Sequence, residues 1–186
     1  MLLNPFARRT DAHALAVGMA GVKMGDRVAQ IFCADGARLA AIASKVGLSG
    51  GAAAYVEDEA AAGRVRKGAE QQGVLIEIEI APPTRLPAGD DSFDLVMVDD
   101  AAGALAMLDE HQRAAALREA RRIVRPGGRV MLIGAGTPTG FLKRAPAAQR
   151  YDRIAVLKAE GFSSVRELAD REGLVFVEAV KPRKEG

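Results

Sequence analysis

Arg27-Val-Ala-Gln-Ile-Phe-Cys-Ala-Asp-Gly36, then a helical run, then Ala53-Ala-Tyr-Val-Glu57-Asp58, is the stretch that decides how this chain folds. An apolar run closes on a turn, a helix follows, and a second apolar run ends in acid. That order predicts the first strand, turn, helix and second strand of an open parallel sheet, whose ligand crevice lies at the carboxyl ends of the strands. An acid about 20 residues past the turn stands where a ribose hydroxyl would be held. The stretch therefore points to a nucleoside-binding fold.

Outward from it, the pattern continues in both directions. A short helix is expected from about Arg9 to Gly21, with Ala12, Leu15, Ala16 and Met19 on one face. Asp35 is placed to N-cap a helix over Ala37–Val46, which Gly47 and the Ser49-Gly-Gly51 cluster end. A helix over Glu59–Gln72 follows the second strand. In Val74–Ile80 the isoleucines alternate with Glu77 and Glu79, the period of a strand with one wet face near a sheet edge. Leu95–Val98 and Val130–Ile133 are continuous apolar runs, which suit central strands buried on both faces. Between them lies a long helix, read as Ala104–Val124 and closed by Arg125-Pro-Gly-Gly128. Pro146–Glu160 reads as another helix. Strands near Ser164–Leu168 and Leu174–Val180 flank a turn at Arg171-Glu172-Gly173. Strands alternating with helices give a doubly wound α/β sheet, and right-handed crossovers place its first strand centrally.

The whole chain bounds the function classes. Its 186 residues suit one domain, with residues 1–24 as an N-terminal helical extension. A net charge of +2 gives no strong pull toward nucleic acid or an anionic membrane surface. No apolar run is long enough to cross a bilayer, and Met1–Arg9 lacks the order of a signal peptide. One cysteine, Cys33, and two histidines, His13 and His111, argue against disulfides and a metal cluster. A reducing cytoplasm is the expected setting. The partners expected are a small-molecule substrate and a second copy of the chain, with no nucleic acid and no membrane.

Six segments in order resemble the class I S-adenosylmethionine-dependent methyltransferases, over about residues 22–182. Gly25-Asp-Arg-Val28 leads into the first strand, and Val28–Gly36 lies over the family's glycine turn. Glu57 falls on the acid after strand two. Arg85–Val96, with Leu86-Pro87 and Ser92-Phe93-Asp94, looks like the segment before strand four. Leu117–Val130 is similar to the helix and Pro-Gly-Gly turn before strand five, and Gly161-Phe162 with Val165 resembles the entry to strand six. The resemblance implies a mostly parallel, seven-stranded, Rossmann-like sheet with the last strand antiparallel, S-adenosylmethionine as cofactor, and methyl transfer to a small-molecule acceptor. It also implies cofactor contacts from Gln30, Phe32, Ala34, Gly36, Glu57 and Asp58.

The turn departs from the family pattern of an acid and three glycines. Gln30 replaces the acid, and Phe32 and Ala34 replace two glycines, while Gly36 remains. Those glycines let bare backbone approach a ligand. Phe32 adds a ring where the methionyl part of the cofactor would pass, and Gln30 cannot neutralise an ammonium. Beyond strand three, Pro82 and Pro83 offer no N–H to an adenine. Two readings follow: a cofactor held in a shifted pose by Glu57, Asp58 and the backbone near Gly36, or a binding or partner subunit that keeps the fold without the cofactor. Asp99 and Asp100, after strand four, are the candidate catalytic carboxylates, either of which could act as a general base. Cys33 is expected to be a buried strand-end residue, and His13 and His111 to lie on the surface. Arg118, Arg121, Arg122 and Arg125 read as compensation of a helix dipole, and Lys181–Lys184 as a solvated tail. A nicotinamide reductase is disfavoured, because Asp35 puts a carboxylate where a pyrophosphate would sit.

Overall fold

The computed structural model describes residues 13–136 and 151–183. Its seven strands are β1 (Arg27–Ile31), β2 (Gly51–Val56), β3 (Glu77–Ile80), β4 (Phe93–Asp100), β5 (Val124–Ala135), β6 (Ser163–Arg171) and β7 (Leu174–Val180). They form one sheet in the order β3-β2-β1-β4-β5-β7-β6. β1 pairs in parallel with both β2 and β4, so the first strand is central, as expected. β7 runs antiparallel to both β5 and β6. β3, the strand with alternating glutamates, is at the edge.

Helices cover both faces because the strands are apolar on both. α1 (Ala14–Ala20), α2 (Gly36–Ala43) and α3 (Glu59–Gln72) lie on one side. There Leu39, Ile42 and Val65 pack on Val28, Ala54, Leu95, Met97 and Phe176. α4 (Glu110–Ile123) and α5 (Arg153–Ala159) lie on the other, where Leu117, Ile123 and Leu157 meet Ile31, Val98, Leu132 and Val177. Burying such side chains contributes about 1.5–3 kcal/mol each. α1 joins this packing: Ala16 and Ala20 are buried, and Arg129 Nη2 donates to the Ala20 carbonyl at 2.7 Å.

α2 and α3 touch backbone to backbone. A Cβ at Gly36 would collide with the Arg64 carbonyl, and one at Gly68 with the Gly36 carbonyl. The β6–β7 hairpin closes through Glu172 (φ 56°) and Gly173 (φ 75°), the left-handed pair of a primed turn.

Several element bounds differ from the sequence reading. α4 starts at Glu110, not near Ala104, because Asp109 and Gln112 form a capping box there. The residues ahead of it are held as turns by the Asp100 carboxylate, which accepts from Leu105 N and Ala106 N at 2.8 and 3.0 Å. The described part of the helix expected over Pro146–Glu160 is α5, capped by Asp152; residues 146–150 lie outside the described residues, as do 9–12 of the first expected helix.

Arg122, read as compensation of a helix dipole, and Lys181, read as part of a solvated tail, are both built into the amino-terminal edge of the sheet. Arg122 donates to the carbonyls of Leu86 and Ala88 at 3.0 and 2.7 Å and pairs with Glu119 and Asp90. Its guanidinium holds the Glu119 carboxyl below its ordinary pKa. Lys181 Nζ reaches the Val124 carbonyl at 2.8 Å, the Arg122 carbonyl at 3.3 Å and Asp91 Oδ1 at 2.6 Å. Lys181 thereby satisfies carbonyls at the end of α4, work that a helix C-terminus demands of some donor, while Arg122 ties the segment before β4 to that helix.

Candidate functional site at the carboxyl edge

The turn at which a ligand crevice is expected follows β1, at the end where β1, β2 and β4 lie side by side. Phe32 leaves β1 with φ +64°, the left-handed region that favours glycine. The chain thus keeps a glycine's backbone path while carrying an aromatic ring. Phe32 N donates to the Tyr55 carbonyl at 2.9 Å, which holds the turn against β2. The ring is 4% exposed and belongs to the same core cluster as Tyr55, Leu86, Val98 and Leu105.

The polar groups of the turn are taken by the chain's own side chains. Gln30 Nε2 donates to the Phe32 carbonyl at 3.0 Å. Arg64 Nε donates to the Cys33 carbonyl at 2.9 Å. Ala34 N donates to Asp99 Oδ2 at 2.9 Å. Asp35 caps α2, accepting from Ala37 N at 3.0 Å and Arg38 N at 3.4 Å. Among the described residues, two buried side-chain atoms at this end have no hydrogen-bond partner, Gln30 Oε1 and Arg38 Nε.

Each residue singled out from sequence has a definite place. Glu57 directly follows β2 and is exposed. Asp58 is the N-cap of α3, accepting from Ala61 N at 2.8 Å. Gly36 opens α2, where its missing side chain serves the contact with α3. Asp99 is 1% exposed and carries Arg38, Ala34 N and, at 3.3 Å, Ala101 N. Asp100 is 2% exposed and accepts from Leu105 N, Ala106 N and the Tyr151 hydroxyl, the last at 2.8 Å. Burial raises the pKa of Asp100, and it raises that of Tyr151 too, aided by the Asp100 charge. Neither carboxylate is open to a substrate in this arrangement. Cys33 is buried as expected; burial, then the Asp99 charge, pushes its thiol up to about 12. His111 is exposed, whereas His13 is partly buried with Nδ1 3.8 Å from Asp35.

Three arginines that the sequence reading passed over complete the site. Arg38 and Arg64 converge on the turn from α2 and α3. Arg113 lies over the Tyr151 ring at 4.6 Å and donates to the Leu105, Ala106 and Leu108 carbonyls. For Arg38 the available signal was a charge beside the apolar face of α2; its partner stands 61 residues away.

Strand order, the antiparallel β7 and the turn at the end of β1 define the class I methyltransferase sheet. The chain belongs to the S-adenosylmethionine-dependent methyltransferase family: the family model for the methyltransferase domain matches residues 28–128. Among curated relatives, a ubiquinone/menaquinone biosynthesis C-methyltransferase of Cupriavidus taiwanensis is 29% identical over 117 residues, 63% of this chain and 46% of that protein. A demethylmenaquinone methyltransferase of Mycobacterium tuberculosis is 42% identical over 59 residues, 32% of this chain and 23% of that one. The chain thus spans less than half the length of either. Among solved structures, an S-adenosylmethionine-dependent methyltransferase from Aquifex aeolicus superposes with a TM-score of 0.74 at 18% identity, over 91% of this chain and 88% of that one. The [4+2]-cyclase SpnF does so at 0.69 and 14%, over 91% and 79%. At these identities the likeness is one of fold.

The family implies S-adenosylmethionine, and the residues present fit it at one end only. Glu57, an exposed carboxylate at the tip of β2, suits a ribose diol. At the amino-acid end, Phe32 O, Cys33 O and Ala34 N are already bonded within the chain. As folded, that end does not receive a methionyl group.

Proposed function

We propose that this chain is a binding member of the methyltransferase family and does not itself transfer a methyl group. One observation carries the reading: the backbone groups of the turn after β1 are bonded to Gln30, Arg64 and Asp99. A binding site that needs those groups must first break buried hydrogen bonds, each with a net worth of about 1 kcal/mol and more where a charge is involved. The sheet and the exposed Glu57 carboxylate after β2 remain, so the chain's work is to hold a small molecule or a partner, a second copy of itself included. That one solved neighbour is a [4+2]-cyclase supports separating fold from methyl transfer. Isothermal titration with S-adenosylmethionine and with its demethylated product is the test. No heat is expected with either at protein concentrations well above micromolar; binding of either overturns the reading.

A second reading is methyl transfer to a small-molecule acceptor. It is favoured by the unpartnered Gln30 Oε1, an acceptor suited to an ammonium, and by relatives named as quinone methyltransferases. An apolar quinol is then the acceptor to try. Mass-spectrometric detection of a methylated quinol in the presence of S-adenosylmethionine would establish it, and absence of product over many hours would count against it.

A further inference from the structure

The turn after β1 contains a small anion seat that the chain fills by itself. Ala34 N–H points at Asp99 Oδ2, 2.9 Å away, and Arg38 Nη2 lies 3.0 Å from each Asp99 oxygen. A backbone N–H and a guanidinium converging on one point are the donors that hold carboxylates in binding sites. Here the carboxylate comes from β4, 65 residues along the chain from Ala34. The pair is shut away from water, with 5% of the Arg38 side chain and none of the Asp99 side chain exposed. Arg38 Nε is buried too and has no hydrogen-bond partner among the described residues. A guanidinium fitted to its own carboxylate uses two nitrogens in parallel. Here one nitrogen spans both oxygens and another donor is left over, so the seat offers more than Asp99 takes up.

We propose that Ala34 N–H and Arg38 form a carboxylate-binding seat in which Asp99 is an internal stand-in, and that an external monocarboxylate takes the seat once the Asp99 carboxylate is gone. The inference rests on the reading that the amino-acid end of the crevice is closed, and deepens it by naming the group that closes it. A ligand entering the native crevice must either displace Asp99 or present no carboxylate at that point.

The test is chemical rescue. Asp99→Ala removes little more than the atoms of one formate. The variant is titrated with formate, acetate and chloride at constant ionic strength, and its melting temperature is followed. The expected result is a melting point below that of the wild type, restored saturably by formate at about 3–5 °C per tenfold excess over the dissociation constant. Chloride should give no such rise, nor should formate on the wild type, whose seat is filled. Asp99→Ala combined with Arg38→Met should lose the rescue. A flat formate titration, or the same rise in the double variant or in the wild type, overturns the proposal. If Asp99→Ala is not recovered folded, Asp99→Ser carries the same titration. The outcomes stay separable: a wild type that binds S-adenosylmethionine refutes the closed-crevice reading, whereas a variant that ignores formate refutes the seat alone.

Discussion

Replacing Phe32 with glycine and with alanine separates the two things that residue does. Its ring is 4% exposed, so deleting it costs about 3–5 kcal/mol by the usual toll of large-to-small changes in a core. Its backbone sits at φ +64°, where an L-residue other than glycine bears roughly 1–2 kcal/mol. Alanine loses the ring and keeps the penalty. Glycine loses the ring and the penalty, but gives back about 0.5–1 kcal/mol in unfolded-state freedom. Phe32→Gly should therefore be as stable as Phe32→Ala or better, by up to about 1 kcal/mol. At a site of ordinary φ glycine would trail alanine by about that much. Urea unfolding read by circular dichroism, with equal m-values for the two variants, measures the difference. If Phe32→Gly unfolds a full kcal/mol more easily than Phe32→Ala, the turn does not keep a glycine's path and the account of the crevice falls with it.

Gly36→Ala drives a methyl into the Arg64 carbonyl, so it should destabilise by several kcal/mol or prevent folding, the range of overpacking and beyond; an unchanged melting temperature would contradict the α2–α3 contact. The Cys33 thiol, buried and raised to about 12, should react with a thiol reagent at pH 8 orders of magnitude more slowly in the folded protein than in urea; matching rates would mean that it is exposed. Glu119 has a lowered pKa, chiefly through its hydrogen bond from Arg122, so its contribution is present above the ordinary glutamate range and lost as pH falls through the lowered value. Glu119→Gln should accordingly lower the melting point at pH 7, with the gap to the wild type closing in acid; a gap independent of pH would show that the pair does not matter. Asp109→Ala removes the capping box of α4 and should cost about 1 kcal/mol in urea unfolding.

What could be read ahead of the structure follows from the range of each interaction. α3 was legible to the residue, since a cap at Asp58, a periodic apolar face and a left-handed Gly73 are all local. β4 and β5 were legible as buried strands, because helices on both sides require apolar residues at every position. The start of α4 was not. Ala104-Leu105-Ala106 has good helix propensity, yet the Asp100 carboxylate claims two of its amides and holds the segment in turns. Propensity there yielded to one charged acceptor. The place of the turn was legible: it follows β1 beside the end of β2, with Glu57 just past that strand. Its closure was not legible, since it depends on Arg38, Arg64 and Asp99 arriving from three separate elements at Cys33 and Ala34. Lys181, read as part of a tail, illustrates the same limit: only the folded chain brings its amine to the end of α4.

The crossing of α2 and α3 at Gly36 and Gly68 also separates two demands that a short motif merges into one signature. Of the three glycines such a turn is expected to carry, the survivor is the one that two helices need in order to meet, while the positions that would have admitted a guest hold larger residues. Pattern matching that credits Gly36 to chemistry is crediting a joint in the scaffold, and positions 32 and 34 are the better guide to whether a pocket is open.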